Sequence, residues 1–164
     1  MFYEVRELNN IIVRNTEIGT VIRLAFADIA KEFHLTPTNC PKHPSFLSDS
    51  DLTHSLSRPG VLCFGALTDD TLVGFVAIWP KDQGVHELTR LCILPEHRHA
   101  GLGARLLQAA VQAAREHDAC RIEIGIIAEN ERLKRWYEKH GFRATAVRGY
   151  AHLPFQVCEM EREV

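Results

Sequence analysis

Residues Leu88 to Leu107 read LTRLCILPEHRHAGLGARLL, and the rest of the chain is organised around them. The run opens as an apolar strand, breaks at Pro95, crosses a short basic loop, and turns at Gly101 and Gly103 into a helix. A strand that feeds a glycine-bearing turn at a helix N-terminus makes an anion site. The first helical N–H groups have no intrahelical acceptor, and the helix dipole favours negative charge there. Two glycines let the backbone come close to a phosphate without a Cβ in the way. Arg98 and Arg105 add charge at either end, so a phosphate-bearing ligand is expected. A nucleoside-triphosphate loop would need Lys-Ser/Thr after the last glycine, where this chain has Ala104-Arg105. A dinucleotide fingerprint would need a small residue three positions after Gly103, where Leu106 stands. Both readings fail.

Upstream, residues 1–14 hold one or two short strands, with Ile11-Ile12-Val13 the better candidate. A helix is expected from about Thr20 to Phe33, carrying Val21, Leu24, Ala25, Ala27, Ile29 and Phe33 as its apolar stripe. Thr36–Pro44 has three prolines in TPTNCPKHP and reads as a stiff loop. Asp49–Leu56 reads as a short helix capped by Ser48 or Ser50. Strands then follow over Val61–Leu67, Leu72–Trp79 and Val85–Ile93, as a meander. Downstream come a helix from Gly101 to about His117, a strand Arg121–Ile127, and a helix Glu131–His140 stopped by Gly141. Phe142–Val147 and Phe155–Met160 close the chain as a hairpin. The expected class is α/β (α+β), a mixed and mostly antiparallel sheet of about 6–7 strands flanked by about 4 helices, in a single domain over 1–164.

The chain has 164 residues, enough for one domain that buries about 70 % of its unfolded surface. A net charge of −2 and a pI near 6.5 argue against a nucleic-acid binder that lives on phosphate contacts. No apolar run approaches the ~18 residues of a membrane span, and MFYEVREL is no signal peptide, so a cytoplasmic protein is expected, with no membrane partner. The five cysteines are scattered and read as free thiols in the core. His97 and His99 flank Arg98, but no third ligand is indicated and no metal is expected.

A second block pairs with the glycine loop: Asn130, Leu133 and then Trp136-Tyr137-Glu138-Lys139-His140-Gly141-Phe142. Together with Arg98-x-x-Gly101-x-Gly103 and the order of elements, it resembles the GNAT N-acetyltransferase superfamily over nearly the whole chain. The resemblance implies acetyl-coenzyme A as cosubstrate, with its pyrophosphate on the backbone of Arg98, His99, Ala100, Gly101, Leu102, Gly103 and Ala104. It implies that Cys92, Ile93 and Leu94 lend backbone groups to the pantetheine arm. Asn130 would hydrogen-bond that arm or cap the following helix; both roles suit it. Many relatives carry glycine where this chain has His99.

Acetyl transfer to an amine needs a neutral amine and a protonated leaving thiolate. The resemblance points to Tyr137 as general acid and Glu87 as base, with His86 the alternative base on the opposite face of its strand. The acceptor pocket implied is Phe33–Phe46 plus Val147–Phe155, with His34, Asn39, Lys42, His43, Arg148, Tyr150 and His152 as its polar groups. The acceptor expected is a primary amine of a small molecule or peptide. Two other readings stay open: a non-catalytic acetyl-coenzyme A sensor, and a toxin-like transferase acting on aminoacyl-tRNA, which the acidic balance disfavours. A homodimer follows by analogy alone.

Overall fold

The computed structural model describes residues 1–164. Four helices and seven strands follow one another as β1 (Glu4–Glu7), α1 (Asn15–Glu32), α2 (Asp49–Leu56), β2 (Leu62–Thr68), β3 (Thr71–Pro80), β4 (Val85–Ile93), α3 (Leu102–Glu116), β5 (Arg121–Ile127), α4 (Glu131–Lys139), β6 (Arg143–Gly149) and β7 (Gln156–Glu163). One sheet holds all seven strands in the order β1-β2-β3-β4-β5-β7-β6. Every pair is antiparallel except β4 with β5.

Helices cover both faces. On one, Leu106, Leu107, Ala110 and Ala114 of α3 pack over Val76, Ile78, Leu88 and Ile122. On the other, Ile18, Ile22 and Ala25 of α1 and Leu52 and Leu56 of α2 pack over Cys63, Leu67, Phe75 and Cys92. Strands β2 and β3 are buried on both sides, which is why CFGAL and LVGFVAI run apolar without alternating. No helix is long and apolar enough to cross a membrane.

Three expectations change. The first strand is Glu4–Glu7, not Ile11–Val13; Ile12 and Val13 are 72 % and 76 % exposed in the turn before α1. An edge strand needs only backbone pairing, here with Phe64–Leu67, and its charged residues hide it from a hydrophobic reading. Helix α1 begins at Asn15 and buries Ile18, Ile22 and Ala25, while Leu24 is 56 % exposed. Two residues past Ile22 is about 200° around the helix, so apolar character there does not earn burial. Of the cysteines, Cys40, Cys63, Cys92 and Cys158 are buried free thiols, but Cys120 is exposed.

Helix α1 meets α2 closely at Gly19, where an added Cβ would overlap the Asp49 carboxylate that pairs with Arg23 at 2.8 Å. Gly19→Ala should therefore destabilise by about 1 kcal/mol in a denaturant titration, although alanine is the better helix former. Adding Asp49→Ala should return the loss. A single mutant as stable as the parent would show that the two helices have slack.

Candidate active site

Strands β4 and β5 pair only at Val85↔Arg121, His86↔Ile122 and Glu87↔Glu123, then part. Beyond Glu87, that edge of β4 has no strand beside it. A bulge lies in the same stretch: Thr89 faces Ala77 and Cys92 faces Phe75, so Arg90 and Leu91 share Val76. Arg90 takes φ +57 to make it. After the bulge, Leu91 and Ile93 point toward α3 and Cys92 toward α1.

The loop that leaves β4 makes one 3₁₀ turn, Pro95–His97, then passes through left-handed backbone at His99 (φ +65) and Gly101 (φ +76) before α3. His99 thus holds the conformation that a glycine would hold at less cost. The Arg98 amide bonds to Pro95 O, and the next amide with a backbone acceptor is that of Arg105, on Gly101 O at 3.2 Å. The six amides of His99 to Ala104 in between donate to no backbone group. Six free N–H groups at the positive end of α3 form a nest for an anion.

The arginines do not add to that nest. Arg98 turns inward, donating from Nε to Ile93 O at 3.0 Å and from Nη2 to Ala25 O at 2.8 Å, with Nη1 on Asp28. The neighbouring Arg98 guanidinium holds the Asp28 carboxyl below its usual value. Arg105 donates to Tyr3 O. The loop's positive character is therefore a backbone property, and Arg98 is the brace that ties the loop to α1. Leu94 is also more committed than expected, because its N–H already bonds Val73 O at 2.8 Å. His97 shares a hydrogen bond with the Tyr3 hydroxyl, and His99 is exposed.

Asn130 caps α4, its Oδ1 accepting from Leu133 N at 3.2 Å. The helix delivers Tyr137 into the α3-side core, 5 % exposed, edge-on to Trp136 at 5.1 Å and to Phe142 at 5.3 Å. Burial raises the phenol above its ordinary value, with the nearby Cys92 thiol adding to the shift; no hydrogen bond offsets either. Cys92 itself is pushed up to about 12 by burial, so it stays a thiol and is no nucleophile.

Glu87 lies on the opposite face of the sheet, half-buried between Trp79 of β3 and Glu123 of β5. Burial lifts its carboxyl above the usual range, while Lys81 (Nζ 4.0 Å away) and Arg58 oppose the lift. His86 faces the other way, is buried, and leaves Nδ1 without a partner. Beside Glu87 opens a cleft of about 360 Å³ lined by Lys81, Glu123, Tyr150 and Glu159, among others. Nothing local in the sequence singles out Lys81, Glu123 and Glu159, because Lys81 follows β3, Glu123 lies on β5 and Glu159 on β7, and only the sheet order brings them together.

The expected acceptor loops prove partly structural. His43 is buried against Phe26 and Phe46, with Nδ1 on Ser45, and burial holds it down to about 4. Asn39 ties its own loop together through Thr36 N and His34 O. Arg148 and Tyr150 both meet Glu159, at 3.2 and 3.0 Å, at the cleft. Lys42 and His152 stay exposed.

Comparison with known proteins places this arrangement. Residues 25–142 match the Acetyltransferase (GNAT) family. An uncharacterized N-acetyltransferase of Mycobacterium tuberculosis is 27 % identical over 119 residues, 70 % of this chain and 76 % of that one. The spermidine N(1)-acetyltransferase of Thermoplasma acidophilum is 28 % identical over 94 residues, 57 % of this chain and 58 % of that one. In fold, the chain is similar to the PaiA N-acetyltransferase of Thermoplasma acidophilum in complex with coenzyme A, with a TM-score of 0.78, 24 % identity and 100 % of each chain covered. Matched across both helical layers and the parting strands, this chain belongs to the GNAT family of acetyltransferases and is an acyltransferase.

Proposed function

We propose that this acyltransferase moves an acetyl group from acetyl-coenzyme A to a primary amine of a small molecule or peptide, by direct attack of the amine. The observation that carries the reading is the row of six free amides from His99 to Ala104, set beside the unpaired edge of β4. Those amides would hold the pyrophosphate; the edge of β4 through Cys92, with the side-chain amide of Asn130, would hold the arm. The coenzyme brings a thioester that is already activated, so no covalent enzyme intermediate is needed.

The rest is proton management by the chain's own groups. An alkylamine of pKa ~10.4 is neutral in about one molecule in two thousand at pH 7, so an acceptor for its proton is worth several kcal/mol. Glu87 is that acceptor, made more basic by burial. Tyr137 keeps its proton at neutral pH, which suits it to give that proton to a sulfur anion. Calorimetry with acetyl-coenzyme A, followed by thiol release across amine classes, tests the reading. No binding overturns it, and binding without release on any amine leaves a coenzyme-binding protein.

Glu87→Gln should slow turnover by about 10²-fold at neutral pH. The sign with pH follows from its raised carboxyl. The base form is lost as pH falls through that raised value, so the acid limb should lie above the ordinary glutamate range and vanish in the variant. A carboxyl raised on folding favours the folded state below its unfolded value, and that contribution is lost as pH rises through the folded one. The variant should therefore be no less stable than the parent at pH 7. An unshifted acid limb in Glu87→Gln would assign the base elsewhere.

A further inference from the structure

The half-buried arginines of this protein find partners within the chain, with one exception. Arg14 meets Glu17 and Asp70, Arg23 meets Asp49, Arg98 meets Asp28, Arg121 meets Glu123 and Glu161, and Arg162 donates to His140 O. Arg90 is half-buried as well, yet its guanidinium joins no hydrogen bond, and no carboxylate pairs with it. It stands on the bulge of β4, at a φ of +57 that side chains other than glycine seldom adopt. The charged group that weighs most on it is a second cation, the guanidinium of Arg58. Arg58 lies over the Trp79 ring at 4.3 Å, and Trp79 faces Glu87 across β3 and β4. Glu87 influences both arginines but bridges neither, its one ion-pair neighbour being Lys81 at 4.0 Å.

A charge drawn out of water is costly unless an opposite charge or hydrogen bonds meet it, and two adjacent guanidiniums raise that cost. Strained backbone and an unmet cation together, three residues from the group assigned as base, are what a specificity site looks like before its ligand arrives. We propose that Arg90, with Arg58 as its outer partner, binds a carboxylate on the acceptor, so that the amine acetylated is that of an amino-acid-like molecule whose ammonium lies toward Glu87. This rests on the amine-acetylation reading above. The acidic cleft on the other side of Glu87 pulls less strongly toward a polycation, since Glu123 is already met by Lys81 and Arg121, and Glu159 by Arg148 and Tyr150. A guanidinium fork fits a carboxylate with two parallel hydrogen bonds.

The test uses binding, so that it does not depend on turnover. With the protein saturated in free coenzyme A, calorimetry compares the common amino acids with their carboxamides and with a linear polyamine. The expected result is a preference for at least one free acid over its amide of about 10- to 100-fold. Arg90→Gln should collapse that preference at a melting temperature no lower than the parent's, and Arg90→Lys should keep part of it. Equal affinity for acid and amide, no binding of any amino acid, a preference that survives Arg90→Gln, or tighter binding of the polyamine would each overturn the assignment. Thiol release from acetyl-coenzyme A, run in parallel, separates the two readings. Acid-selective binding without release would keep the carboxylate site and remove the transfer reaction. Release that ignores the carboxylate would do the reverse.

Discussion

Gly101→Glu is expected to abolish coenzyme binding, with no heat detectable in calorimetry at concentrations that saturate the parent. Gly101 sits at φ +76, and a Cβ built there meets nothing within 4 Å, so the protein itself has room for a side chain. The penalty therefore has two parts that can be separated. Any L-residue pays for the left-handed backbone, about 1 kcal/mol, and Gly101→Ala should show only this, as a loss of stability with coenzyme affinity close to the parent's. Glutamate adds a carboxylate in the open space over the free amides of His99 to Ala104, which it competes for and whose ligand it repels. The two variants should melt together while their coenzyme affinities differ by about 10²-fold or more. If Gly101→Glu retained affinity, the anion site would have to be elsewhere, and the resemblance carried by Arg98-x-x-Gly101-x-Gly103 would lose its physical content.

The same loop shows what a sequence can and cannot tell. Strands Val85–Ile93 and Arg121–Ile127 and the helix after Gly101 were legible to within a residue, because their apolar period and their glycine and proline boundaries are local. Glu87 and Tyr137 were singled out by the family resemblance, and their surroundings, one half-buried and one buried, come from tertiary packing that the resemblance did not describe. The direction of Arg98 was not legible. A basic residue beside a phosphate loop reads as a ligand, and only the packing of α1 reveals Ala25 O and Asp28 waiting for it. Nor was the bulge legible: Leu88-Thr89-Arg90-Leu91 alternates well enough to pass for regular strand, and the extra residue shows only in the register with β3. The insertion of β7 between β5 and β6, which brings Glu159 toward Glu87, is likewise a fact of strand order that a predicted hairpin leaves open.

Tyr137→Phe is expected to leave coenzyme affinity and stability close to the parent while slowing the chemical step by about 10³-fold. The packing half of the argument comes from the ring. Phenylalanine keeps the edge-on contacts with Trp136 and Phe142, and the hydroxyl it loses has no hydrogen-bond partner in the chain, so nothing buried is orphaned. The catalytic half comes from the same isolation. The Cys92 side chain packs with the α1 cluster, on the other face of the sheet from the ring, and so does not replace the phenol. A leaving sulfur anion would then depart unprotonated into a low-dielectric pocket, which is where the cost is greatest. Single-turnover kinetics with a saturated coenzyme site isolates that step. Unchanged turnover with unchanged binding would return Tyr137 to the core of α4, as an aromatic that packs and does nothing more.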